Sequence, residues 1–216
     1  MTHQTTELIL VVPTQVFHER GHFQGFNPSA THYLNAFFSS GVAHFVERPP
    51  AEQNPSLKQL IPYSIIAQGN TFLTYTRGKS GGENRLHAKK SIGIGGHVNP
   101  VDHLTTEAIT HTTYLNALSR EISEEIHFTG EISHTLTAGL INDDTPDPQE
   151  PTKITVGQVH LGILEVFTLD PAALIKAGET SISNPQFLTL EQLTEIKDQL
   201  EPWSQIALQY LAQEPL

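Results

Sequence analysis

Apolar residues recur along this chain with two periods, and the points where one gives way to the other mark out its elements. Leu115, Leu118, Ile122 and Ile126 follow a 3.6-residue spacing, which predicts a helix from about Tyr114 to Ile126 with Thr112 or Thr113 as its cap. "THYLNAFF" from Thr31 predicts a short helix, and "LEQLTEIKDQL" and "WSQIALQYLAQ" predict two closing amphipathic helices. "ELILVV", "EISHTLTAGLI" and "ITVGQVHLGILEVFTL" read as extended runs, the last long enough for a central strand or a bent pair. "YSIIAQGNTFLTYTR" predicts a hairpin around Gln68, Gly69 and Asn70, and "SIGIGGHV" at 91–98 a strand breaking into glycines. "NDDTPDPQEP" at 142–151, acidic and proline-rich, reads as a loop. The order of elements predicts an α/β fold, a mixed β-sheet with helices on both sides.

Composition removes several function classes. A length of 216 residues suits one ample domain, read here as 1–216 with an N-terminal extension of about 60 residues. A formal net charge of -11 argues against nucleic-acid polymers and anionic membranes as partners. The absence of cysteine excludes disulfides, zinc thiolate sites and a cysteine nucleophile. The run "LILVVP" from Leu8 is too short for a signal segment and no apolar window reaches membrane-spanning length, so the expected address is cytoplasmic.

Two charged clusters point to chemistry. In "REISEEIHF", Arg120 to Phe128, the acids Glu121, Glu124 and Glu125 stand at i, i+3 and i+4 of the predicted helix, so they share a face and repel one another. They fall in its last two turns, where the macrodipole disfavours a carboxylate. The plain reading is a solvated acidic face; the functional one is a divalent cation held by carboxylate oxygens, which relieves that repulsion. Upstream, Arg77, Lys79, Arg85, Lys89 and Lys90 are five of the twelve Lys+Arg residues and lie within "RGKSGGENRLHAKK". Alone that is a surface loop. Beside a cation-binding helix it predicts a pyrophosphate site, with glycines admitting the ligand to the backbone and cations matching phosphate oxygens.

The stretch "GGHVNPVDHL...NALSREISEEIHF" resembles the Nudix box, in which a glycine, five residues, a glutamate and seven residues lead to Arg-Glu-apolar-any-Glu-Glu-any-Gly-apolar. Gly96, Arg120, Glu121, Ile122, Glu124, Glu125 and Phe128 match its two ends. "LVVPTQVF", "IPYSIIAQGN", "RGKSGGENRLHAKKSIGIGGHVNPVD", "GLINDD" and "VGQVHLG" extend the resemblance along most of the chain, toward the Nudix phosphoesterases predicted from bacterial sequences. Two departures stand out. Ten extra residues separate Gly96 from Arg120, so counting from either end puts Asp102 or Thr112 at the box's isolated glutamate, and Asp102 or Glu107 is its candidate substitute. His127 replaces the glycine that ends the helix, where a left-handed conformation is usual, and Gly130 is placed to take over that turn.

The resemblance implies a Nudix-type α/β/α sandwich with a loop-helix-loop metal site, and an Mg2+-dependent phosphohydrolase, Mn2+ also being suitable. It implies that Glu121, Glu124 and Glu125 hold the metal, that Glu121 or Glu124 also aligns or deprotonates water, and that Arg120 orients a carboxylate. Arg77, Arg85, Lys89 and Lys90, with Gly95 and Gly96, are the implied grip on a small diphosphate substrate of nucleoside diphosphate type. His87, His97 and His160 lie near this region and read more readily as structural histidines. A homodimer is compatible with these features. The rival reading is a nucleotide-sensing or regulatory Nudix-fold module that binds without cleaving. Isoprenoid diphosphate isomerisation, which related enzymes perform with a cysteine, is disfavoured by its absence.

Overall fold

The computed structural model describes residues 6–78, 89–105, 107–178 and 182–213. In chain order these form β1 (Leu8–Pro13), α1 (Thr14–Glu19), β2 (Gly25–Asn27), α2 (Ala30–Phe37), β3 (His44–Glu47), α3 (Arg48–Ala51), β4 (Leu57–Gln68) and β5 (Thr71–Arg77). There follow β6 (Lys90–Ser91), β7 (Gly93–Gly95), α4 (His111–Glu125), β8 (Ile126–Phe128), β9 (Ile132–Asn142), α5 (Val156–Val159) and β10 (His160–Leu169). The chain ends with β11 (Ile175–Ala177), β12 (Ile182–Thr189), α6 (Leu190–Glu195) and α7 (Pro202–Gln213). This is a mixed α/β fold. Among the described residues no helix is long and apolar enough to cross a membrane.

Two compact units divide the described residues, the first drawn from 1–62, 96–118 and 139–163, the second from 63–95, 119–138 and 164–216. The first sixty residues are thus interwoven with later segments in the first unit. There β1 runs antiparallel to β3, Leu8 opposite Glu47, and to the start of β4, Val11 opposite Gln59. Ile9 and Val11 of β1 form a buried cluster with Ala51 of α3, and Val46 and Leu57 pack against it. β2 pairs with the end of β9, Phe26 opposite Ile141. Lys58, almost fully buried, has its ammonium satisfied by Asn142, Asp144 and the Gly157 carbonyl at 2.6 to 2.9 Å.

In the second unit the expected hairpin is present. β4 turns into β5 through Gly69, whose φ of +56° suits glycine, and Ala67 faces Phe72. β12 lies antiparallel along β5, from Ile182 opposite Arg77 to Thr189 opposite Thr71, with a bulge between Ser183 and Gln186. "SIGIGGHV" breaks as predicted, into β6 on β5 and β7 on β4. Gly93 is required there, because a Cβ at that position would run into the Tyr63 ring. Thr189 caps α6 by accepting the Gln192 amide. The expected long strand near 154–169 is a helical turn, α5, followed by β10, with Thr155 and Gln158 forming a capping box ahead of the strand.

Candidate active site

Helix α4 begins three residues before its predicted start, and its cap is neither Thr112 nor Thr113. Thr110 accepts the Thr112 amide on its hydroxyl at 3.3 Å and the Thr113 amide on its carbonyl at 3.0 Å, so both expected caps lie inside the first turn. The inner stripe also differs from the prediction. Tyr114, Ala117, Leu118 and Ile122 are buried, while Leu115 is 39% exposed. Helical spacing carried from Ala117 and Leu118 through Ile122 puts Glu121 and Glu125 on this inward stripe. Both are half-buried, and Glu124 is exposed. The three acids therefore do not share one solvated face, and no basic residue occupies the last turn.

Arg120 binds two of them. Its Nη1 donates to Glu121 Oε1 at 2.7 Å and to Glu124 Oε2 at 3.0 Å. The Glu121 side chain is 12% exposed and that of Glu124 46%. Burial pushes the Glu121 carboxyl up to about 7, against the pull of Arg120 and with the repulsion of Glu124 and Glu125 adding to it. Among the described residues no group of three or more His, Asp or Glu stands close enough to hold a metal ion. The donors nevertheless fit a hard cation in kind, since they are carboxylate oxygens and one of them is buried with its charge only partly compensated.

Three of the basic residues, Arg77, Lys89 and Lys90, come together where β5 pairs with β6 in the second unit. The Arg77 amide donates to the Lys89 carbonyl at 3.0 Å, Thr76 pairs with Lys90, and the Lys89 ammonium reaches the Asp198 carbonyl at 3.2 Å. Arg77 Nη1 donates to Glu201 Oε2 at 3.1 Å. Gly95 ends β7 opposite Tyr63, and Gly96 follows in the first unit. Lys79, Arg85 and His87 lie outside the described residues.

The two departures from the Nudix pattern now have structural accounts. Asp102 is buried, and its carboxylate accepts the Asn99 amide at 2.8 Å to close a 3-10 turn; Glu107 is exposed. His127 sits extended in β8 opposite Lys176, so no left-handed residue is needed there. The turn falls to Gly130, at φ +80°, and Asn184 is the sole described non-glycine residue with positive φ. His160 is buried, with Nδ1 donating to the Val156 carbonyl at 2.7 Å, and burial brings its pKa down to about 4. His97 pairs with Gln59 at 2.9 Å, so both histidines are placed as structural groups.

Sequence reasoning missed Glu201. In "QLEPWSQ" a glutamate before a proline reads as a solvated residue at a helix start, and its burial arises from β4, β5 and β6 converging on it, which no local pattern announces.

No family model matches the chain. Protein YmaB of Bacillus subtilis (strain 168) is 33% identical over 211 residues, spanning 95% of this chain and 97% of YmaB. The crystal structure of Tm1382, a proposed Nudix hydrolase, superposes with a TM-score of 0.72 at 30% identity and covers 96% of this chain and 99% of Tm1382.

Proposed function

Because the chain belongs to the Nudix hydrolase superfamily and is a phosphohydrolase of that kind, we propose that it cleaves the diphosphate linkage of a nucleoside diphosphate-type or related small phosphorylated substrate, with Mg2+ or Mn2+ as cofactor. The observation that carries this reading is the placement of two acids, Glu121 and Glu125, on the inward stripe of α4, with Arg120 bridging Glu121 and Glu124. A residue pattern chosen for helix stability would put neither acid there. Glu121, Glu124 and Glu125 are the residues that would hold the cation, which when bound supplies acidification of water and charge neutralisation on the bridging oxygens. Arg120 orients the Glu121 and Glu124 carboxylates by charge-assisted hydrogen bonds. One of those two carboxylates takes the proton of the attacking water as the new P–O bond forms and the bridging P–O bond breaks. Arg77, Arg85, Lys89 and Lys90, with the backbone at Gly95 and Gly96, grip the diphosphate.

A panel of nucleoside diphosphate compounds incubated with Mg2+ and with Mn2+ tests this. The expected result is cleavage of at least one compound, abolished by chelator and by Glu124→Gln. A second reading, a non-catalytic nucleotide-sensing module, draws on the engagement of Glu121 and Glu124 by Arg120 and on the lack of a preformed three-ligand group among the described residues. Binding without turnover across the whole panel would select it.

A further inference from the structure

The Glu201 carboxylate is buried just ahead of α7 and receives hydrogen bonds from four side chains. Its Oε1 accepts from Ser91 Oγ at 2.5 Å, Tyr63 Oη at 3.0 Å and Ser204 Oγ at 3.3 Å, and its Oε2 from Arg77 Nη1 at 3.1 Å. Ser204 Oγ in turn accepts the Ile92 amide at 3.0 Å and lies 2.7 Å from the Tyr63 hydroxyl. The four partners stand on β4, β5, β6 and α7, so the carboxylate is held from four elements at once. Stability alone is a weak reason for such a network, because apolar residues of similar volume hold a core equally well without the desolvation cost.

What the network holds is one end of Arg77. That side chain is 25% exposed, and among the described residues its guanidinium gives a single hydrogen bond, to Glu201, from five available N–H groups. Its position relates it to α4. Arg77 pairs with Ile182 at the start of β12, and shortly before it the Gly178 amide donates to the Glu125 carbonyl at 2.9 Å. The approach is close enough that a Cβ on Gly178 would collide with the Glu124 carbonyl. Burial works against the Arg77 charge, and the carboxylates of Glu201 and, more weakly, Glu125 oppose that effect, so the guanidinium stays charged.

We propose that Glu201, together with Tyr63, Ser91 and Ser204, is a positioning device that fixes Arg77 beside the acidic end of α4 as a grip for the substrate's diphosphate. The assignment rests on the function proposed above, whose diphosphate it binds. Glu201 acts through Arg77 and does not itself touch the ligand.

A double-mutant cycle with ADP as probe tests it, read by calorimetry in Mg2+, with adenosine as the phosphate-free control. Arg77→Ala and Glu201→Gln should each weaken ADP binding about tenfold, the loss of a charge-assisted contact, while adenosine binding holds steady. In an Arg77→Ala background, Glu201→Gln should change ADP binding by less than about twofold, because its effect has already been removed. If Glu201→Gln fails to fold, Ser204→Ala is read the same way. An equal loss with and without Arg77, an equal loss for ADP and adenosine, or no ADP binding by the wild type would overturn the proposal. Cleavage of the panel with Arg77→Ala unimpaired would sink this assignment and leave the hydrolase reading standing. ADP binding that follows the cycle with no cleavage of any compound would do the reverse.

Discussion

Arg120 and Glu121 are adjacent in a helix, where successive side chains point about 100° apart, yet Arg120 Nη1 donates to Glu121 Oε1 at 2.7 Å. The guanidinium folds across the helix surface to a carboxylate on the buried stripe and keeps Glu124, one turn on, at 3.0 Å. This contact offsets part of the cost of burying Glu121. The remainder is visible in the carboxyl, which titrates at about 7.

That remainder predicts a stabilising substitution. The carboxyl titrates at 4.5 when unfolded and at about 7 when folded, so between those values the folded chain binds the extra proton and stability falls as pH rises. Without divalent metal at pH 8, Glu121→Gln should therefore raise unfolding free energy by on the order of 3 kcal/mol, a gain that vanishes below about pH 4.5. Urea titrations in EDTA at several pH values measure it. A lower stability for the variant at pH 8 would show that the charge is structural.

Metal should act on the same imbalance. Mg2+ bound only to the folded chain adds RT ln(1 + [L]/Kd), about 2.7 kcal/mol at a hundredfold excess over Kd. Thermal melts should shift upward with Mg2+ or Mn2+ at neutral pH, the shift shrinking in acid as protons compete for the oxygens. Glu121→Gln, Glu124→Gln and Glu125→Gln combined should erase it. Superimposable wild-type curves in magnesium, manganese and chelator would favour the non-catalytic reading.

Sequence made the long elements legible because each carries its own period: α4, α7, β1, the β4–β5 hairpin and β9 all follow local patterns. It failed where tertiary packing decides. Leu115 fits the helical spacing, but the inward stripe runs through Tyr114 and Ala117, so a leucine is half-exposed and two glutamates point inward. β12 went unseen because Asn184 and Pro185 interrupt its alternation, and its strand character comes from pairing with β5 across a bulge. The acids of the candidate site were visible as a motif, whereas Glu201 was not, since only burial distinguishes it from a surface glutamate.

The move of the helix-ending turn from 127 to 130 is separately testable. His127 is extended and paired with Lys176, so His127→Gly removes a strand side chain without relieving strain and should cost about 0.5–1 kcal/mol. Gly130 has φ +80°, and Gly130→Ala should cost about 1–2 kcal/mol. Chemical denaturation of both variants checks the pair. A stabilised His127→Gly would mean that the histidine is strained after all.

His160 has an effect on stability opposite in sign to that of Glu121. Burial brings its pKa from 6.5 to about 4, aided by Arg48 and Lys58 and opposed by the Val156 carbonyl and Glu52. Between those pH values the unfolded chain binds the proton and the folded chain does not. Its contribution, on the order of 3 kcal/mol for such a shift, is complete above pH 6.5 and is lost as pH falls toward 4. Glu121 loses stability as pH rises over nearly the same window, and the groups that perturb one are not those that perturb the other, so the two contributions should add. Opposed slopes of similar size should leave the metal-free wild type nearly flat between pH 4.5 and 6.5. Each single substitution should then uncover the other group: Glu121→Gln should give stability that rises with pH across this window, and His160→Gln stability that falls. Unfolding free energies at half-unit pH steps in EDTA decide it, and a His160→Gln profile parallel to the wild type would show that the histidine is not held neutral by burial.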